Sequence, residues 1–180
     1  MDIEELIERD KKPLSDQAFE SSLGIAKEDI IMYKNLANYA TIEELLPNEG
    51  DWKIIFIQWA VNSVGHWVVC YKYKNKYCYF NSYGKAPDLD LNVISRSIKR
   101  ILGEETAQFK RLLHGQKMSH SPFKLQGEKS ESCGRYCVSR IQLLQQGYSC
   151  DEYKKYLDEI CKNNGISYDL AVSALVPIPR

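Results

Sequence analysis

Nowhere does this 180-residue chain stay apolar for the length of a membrane span, and neither sign of charge is in excess. A bilayer-crossing helix needs about 20 predominantly apolar residues, so no membrane segment is expected. The 24 basic residues are matched by 24 acidic ones, so net charge supplies no field to recruit nucleic acid or an anionic membrane. Internal repeats and low-complexity linkers are also lacking, which suits a single domain over 1–180. The N-terminal run MDIEELIERDKK has no apolar stretch of the signal-peptide kind. It reads as a short amphipathic helix with Ile3, Leu6 and Ile7 on one side. An intracellular protein, or one packaged inside a particle assembled in a cell, is the expectation. None of the six cysteines stands in a C-x2-C pair, which makes a structural zinc site a poor reading, and a reducing compartment argues against a disulfide framework.

What is present patterns as an α+β domain. Residues 15–23 read as a helix with Ser15 as N-cap and Gly24 closing it. A short strand is expected at 30–33. Thr41-Ile-Glu-Glu44 is a capping-box pattern that Pro47 terminates. Three runs rich in Ile, Val, Tyr, Phe and Trp follow at 53–60, 66–73 and 76–83, and read as strands. Residues 90–102 have helical apolar spacing. The stretch 104–125 is poorly legible, with one strand expected to end near Leu125. A helix is expected from Cys133 to about residue 146, stopped by Gly147 and packed against the sheet. Helices capped by Ser149 and Ser167 follow.

Four residues supply groups for acyl transfer. Cys133 is expected at a helix N-terminus, behind Ser130 and Ser132 as capping residues. The helix dipole and free N–H groups there favour thiolate, the reactive form. A small buried hydrophobe is the competing reading, and it suits Cys137 better. His66 opens the run 66–73; His114 and His120 stand in the poorly legible stretch, without a comparable setting. If Lys74-Asn75 is a two-residue hairpin loop, opposed residues sum to 149, His66 faces Tyr83, and Asn81 lies diagonal to His66 on the same face. Asn81 then accepts the Nδ1–H of His66 and fixes its tautomer; as an ordinary turn residue before Gly84 it needs no such role. Gln126 is either a solvated loop residue or, with the Cys133 N–H, a donor to a developing oxyanion.

The order Gly65-His66-Trp67, then Phe80-Asn81-Ser82-Tyr83-Gly84, then Gln126 and Cys133-Gly134 resembles the adenain and ubiquitin-like-protein protease clan of cysteine proteases. Pro13-Leu-Ser, Tyr33-Lys-Asn-Leu36, Thr41-Ile-Glu-Glu-Leu-Leu-Pro47, Cys133-Gly-Arg-Tyr-Cys137 and Tyr168-Asp-Leu170 look like the maturation proteases of virophages, Polinton-like elements and large DNA viruses. The resemblance covers roughly residues 13–175. It implies a papain-like superfold in permuted order, with a mostly antiparallel central sheet packed on the helix that carries the catalytic Cys133. It further implies a thiol endopeptidase that cuts after small, Gly-type residues in capsid or other virion precursors; the chemistry of such a site needs no metal or cofactor, and a monomer is the expectation. Cys133, His66, Asn81 and Gln126 would form the site, and Trp67 and Gly134 would contact substrate. Many relatives have Asp where this chain has Asn81, which can orient His66 but brings no charge to it. The rival readings are a deconjugase acting on ubiquitin-like modifiers, an acetyltransferase with the same Cys-His layout, and an inactive interaction module.

Overall fold

The computed structural model describes residues 2–177. Its centre is a five-stranded mixed sheet in the order β1 (Ile30–Met32), β2 (Trp52–Gln58), β3 (Gly65–Tyr73), β4 (Lys76–Phe80), β5 (Ser119–His120). The central pairings, β2 with β3 and β3 with β4, are antiparallel, whereas β1 and β5 join the two edges in parallel. The antiparallel character expected for the sheet therefore holds at its centre and fails at its edges, where crossover connections bring in the short outer strands.

Side-chain alternation sends the two faces of the sheet into two cores. Ile54, Trp67, Val69, Tyr71 and Phe80 pack with α6 (Cys133–Gln145), α7 (Cys150–Asn164) and α8 (Tyr168–Leu175). Ile55, Ile57, Val68, Cys70 and Tyr79 pack under the 3₁₀ segment Tyr33–Asn38, α3 (Ile42–Leu45) and α5 (Gln108–Leu113). With both faces covered, β3 reads as a nearly continuous apolar run.

The hairpin between β3 and β4 is the one expected. Lys74 and Asn75 occupy the two-residue loop, both with positive φ, at 50° and 58°, and Val69 pairs Phe80 while Tyr73 pairs Lys76. Two successive left-handed residues match the strand twist and hold the register that brings position 66 opposite 83.

α1 (Ile3–Asp10) forms, but only Leu6 is buried, and Ile3 and Ile7 remain exposed. Ser15 caps α2 (Asp16–Leu23), and Gly24 closes it in the left-handed region. α3 is a single turn: Thr41 accepts from the Glu44 N–H, but the Glu44 carboxylate returns to the Ala40 N–H rather than to its own cap. Residues 90–102 are not one helix. A 3₁₀ turn, Leu89–Val93, buries Asp90 and Leu91, and after an extended Ile94 a separate helix α4 (Arg96–Leu102) begins at its Ser95 cap. In 104–125, where the sequence suggests one strand, α5 and the two-residue β5 form, and Lys124 bridges Tyr83. α6, α7 and α8 begin and end nearly as expected, with a complete capping box at Ser149.

Candidate active site

The site lies where β3 begins, β4 ends and α6 starts. His66 and Asn81 are both buried, and His66 Nε2 is 3.0 Å from Asn81 Oδ1. Asn81 lies just past β4, where the chain leaves the strand. The orientation of its amide is settled by its other partners. The Tyr83 backbone N–H, which can only donate, is 2.9 Å from Oδ1, and the Asp90 carboxylate accepts from Nδ2 at 2.6 Å. With an acceptor facing it, His66 Nε2 must carry the proton, which leaves the lone pair on Nδ1. This corrects the geometry expected from the sequence, in which Nδ1–H is the donor to Asn81.

The imidazole is sandwiched between two aromatic rings. Trp59 lies on one face with centroids 5.6 Å apart and Tyr83 on the other at 4.8 Å, both stacked. Its faces are closed and one nitrogen is tied to Asn81, so the Nδ1 edge is the part left for chemistry. Burial lowers the His66 pKa; Asp90 and the Asn81 hydrogen bond raise it, and Lys85 lowers it further.

Cys133 is the first residue of α6 and is 7% exposed. The backbone N–H groups of Trp67, the residue after His66, and of Gly134 are near enough to act on its thiol. Both contacts favour thiolate, but burial outweighs them and pushes the thiol up to about 11. The expectation that the helix terminus alone yields a ready thiolate is therefore not met: desolvation of the charged form is the larger effect. Cys137 is wholly buried one turn on, and burial pushes its thiol well above the ordinary range, as expected of a core thiol.

Ser132 occupies the N-cap position but makes no side-chain cap. Ser130 and Ser132 instead turn their hydroxyls to Asp10, at 2.7 and 2.5 Å, and to each other. The side chain at the N-cap position therefore does not cap the first turn of α6.

Gln126 is not a solvated loop residue. Ser82 holds it twice and its neighbour once: the Ser82 carbonyl accepts from the N–H groups of Leu125 and Gln126, and the Ser82 hydroxyl donates to Gln126 Oε1 at 2.6 Å. Its Nε2 donates to the Ser130 carbonyl at 2.8 Å. A primary amide has two N–H groups, so one donor remains beyond this bond.

Trp67 is 6% exposed and packs edge-on against Phe19 at 4.8 Å, and its Nε1–H donates to the Leu14 carbonyl at 2.9 Å. It is a core residue on the face opposite His66, as strict alternation requires. It also lines a groove of about 560 Å³, together with Cys133, Leu14, Met32, Phe56, Val64 and Gly65. Gly134 is buried because Leu14 and Phe19 take the space of its missing side chain: an added Cβ would come within 2.8 Å of Leu14 and 3.0 Å of Phe19. At Gly65 an added Cβ would lie 2.2 Å from the Ile57 carbonyl oxygen, so β2 and β3 can close up beside His66 only around a glycine.

Asp90, Lys85, Trp59 and Ser82 escape a reading of the sequence. Asp90 falls within an apolar periodicity that reads as an ordinary helix start, and its burial is visible only once the 3₁₀ turn is seen. Among the described residues no cluster of His, Cys, Asp or Glu is arranged to hold a metal ion, and no helix is long and apolar enough to cross a membrane.

Fold and site together define an α+β protein with a mixed five-stranded sheet, a cysteine at the N-terminus of a helix packed on that sheet, and a buried His–Asn pair where β3 begins and β4 ends. No family model matches the chain. It is 32% identical over 154 residues to the uncharacterized protein V9 of Sputnik virophage, an alignment covering 83% of this chain and 86% of that protein. The chain belongs to the same family as that virophage protein.

Proposed function

We propose that this protein is a cysteine endopeptidase with a papain-like site in the adenain order, cutting after small, Gly-type residues in virion precursor proteins. The observation that carries this reading is the buried His66–Asn81 pair, whose Nε2-protonated tautomer leaves Nδ1 as the free base, while the backbone N–H of the adjoining Trp67 acts on the Cys133 thiol. Nδ1 takes the thiol proton as Cys133 Sγ attacks the scissile carbonyl. The Cys133 N–H and the second N–H of Gln126 donate to the oxygen as it becomes negative. The imidazolium returns its proton to the leaving amine, and a thioester remains on Cys133. Water, deprotonated by His66, then displaces the acyl group.

Support for small residues before the cut comes from the walls near the sulfur. Trp67 is fixed by its bond to Leu14 and its packing on Phe19, so it cannot swing aside for a bulky side chain. A capsid or virion precursor as substrate is favoured by the virophage relative. The test is a peptide library varied at the residue before the scissile bond, presented to wild type and Cys133→Ala. Cleavage after Gly or Ala by wild type alone is expected; efficient cleavage after Leu or Phe would refute the specificity, and equal cleavage by Cys133→Ala would refute the mechanism.

A further inference from the structure

We propose that Asp90 is a positioning residue for His66: a buried carboxylate that acts on the imidazole through Asn81 and supplies the charge which the amide lacks. The inference rests on reading His66 as the base. Three bonds make a continuous chain. His66 Nε2 meets Asn81 Oδ1 at 3.0 Å, Asn81 Nδ2 donates to Asp90 Oδ2 at 2.6 Å, and Lys85 Nζ meets Asp90 Oδ1 at 2.8 Å. Asp90 is 0% exposed, and its partners account for both oxygens. A carboxylate is rarely buried to that extent without a charge or dense hydrogen bonding to hold it. Here the 3₁₀ turn Leu89–Val93 delivers it directly behind Asn81.

The consequence for His66 follows from charge and geometry. A negative group accepting from Nδ2 polarises the amide and makes Oδ1 a stronger acceptor, so the imidazolium formed during the reaction is stabilised through one intervening side chain. Lys85 opposes this. Its Nζ also lies 6.0 Å from the Trp59 ring and 5.8 Å from the Tyr83 ring, so one cation spans the stack that encloses His66. The groups that bear on His66 are thus the Tyr83 ring, stacked on it from the loop after β4, and, beyond Asn81, Asp90 and Lys85. The directions agree with this layout: Asp90 raises the affinity of His66 for a proton, and Lys85 lowers it.

The measurement is the titration of the His66 imidazole by NMR in the full-length protein, as wild type, Asp90→Asn and Lys85→Gln. An amide at 90 still accepts from Asn81 Nδ2, so the link to His66 survives while the charge and the bond to Lys85 are lost. Asp90→Asn should weaken proton binding at His66 about tenfold, and Lys85→Gln should strengthen it by a smaller factor. A folded Asp90→Asn with unmoved His66 titration would overturn the proposal and leave Asp90 a structural brace. If that variant does not fold, Lys85→Gln decides, and an unmoved titration there overturns the proposal equally. Because no substrate is needed, the result is separate from peptide hydrolysis. Opposite shifts without any cleaved peptide would refute the endopeptidase and keep the inference; cleavage without shifts would do the reverse.

Discussion

From the sequence alone, Asn81→Asp is expected to retain substantial activity, because a carboxylate also accepts from His66. The buried Asp90 changes that expectation. In place of the Nδ2–H donor, the new carboxylate would turn an oxygen toward Asp90 Oδ2, across a contact of 2.6 Å. Two full charges at that separation repel by about 6 kcal/mol at an effective dielectric of ~20. Holding a proton on an aspartate from its usual range up to pH 7 costs about 4 kcal/mol. Lys85, bound to Asp90, offsets part of that repulsion, and the remainder is of the same order as that cost, so the two carboxylates share one proton over part of the range from pH 4 to 7. The unfolded chain gives up that proton near pH 4, and the folded variant keeps it. Relative to wild type, the variant is therefore most stable at about pH 4 and loses ~1.4 kcal/mol for each pH unit above it, until the shared proton leaves. Urea unfolding of both proteins from pH 4 to 8 should show the gap widening with pH, by at most about 4 kcal/mol between pH 4 and 7. The double variant Asn81→Asp with Asp90→Asn exchanges amide and acid, and should abolish the slope. A difference independent of pH across that range would show that the two side chains do not meet, and would remove the basis for the His66–Asn81–Asp90 chain.

Three other outcomes are expected. Cys133→Ala should abolish peptide cleavage while Cys137→Ala spares most of it, and iodoacetamide should label Cys133 ahead of Cys137; since burial pushes the Cys133 thiol up to about 11, His66→Gln should slow that labelling about tenfold or more at pH 7, the two rates converging as pH approaches 11. Equal labelling of wild type and His66→Gln at pH 7 would mean that His66 does not serve the thiol. Gln126→Ala should lower kcat by roughly 10²–10³ with little change in KM, and an unchanged kcat would reduce Gln126 to a brace between Ser82 and Ser130. Trp67→Ala should cost about 3–5 kcal/mol in urea unfolding, against ~1 kcal/mol for Trp67→Phe, which keeps the packing on Phe19 and loses the bond to Leu14; a near-neutral Trp67→Ala would contradict its place in the core.

The elements legible in the sequence are those specified locally. The β3–β4 hairpin can be read because a two-residue loop permits few registers, and once the register is set, the placing of His66 opposite Tyr83 and beside Asn81 follows. The helices α2, α7 and α8 carry their capping serines in plain view. What is not legible depends on contacts far apart in the chain. Asp10 draws Ser130 and Ser132 away from the capping role that their position suggests. The split of residues 90–102 follows from Asp90 turning inward to Asn81 and Lys85, which apolar spacing does not reveal. The short α5 fills the gap beneath Tyr33 and Tyr79, so its boundaries are set by partners rather than by its own pattern. The ionisation of Cys133 is misread from the sequence because helix position is visible there and desolvation is not.

The central claim is that Cys133 cuts peptide bonds in virion precursors. It is tested most directly by incubating wild type and Cys133→Ala with the structural proteins of a virophage particle and sequencing every new N-terminus. The account predicts a small set of new termini, each preceded in the precursor by Gly or another small residue, and present only with wild type. No new terminus, or the same termini with Cys133→Ala, would contradict it.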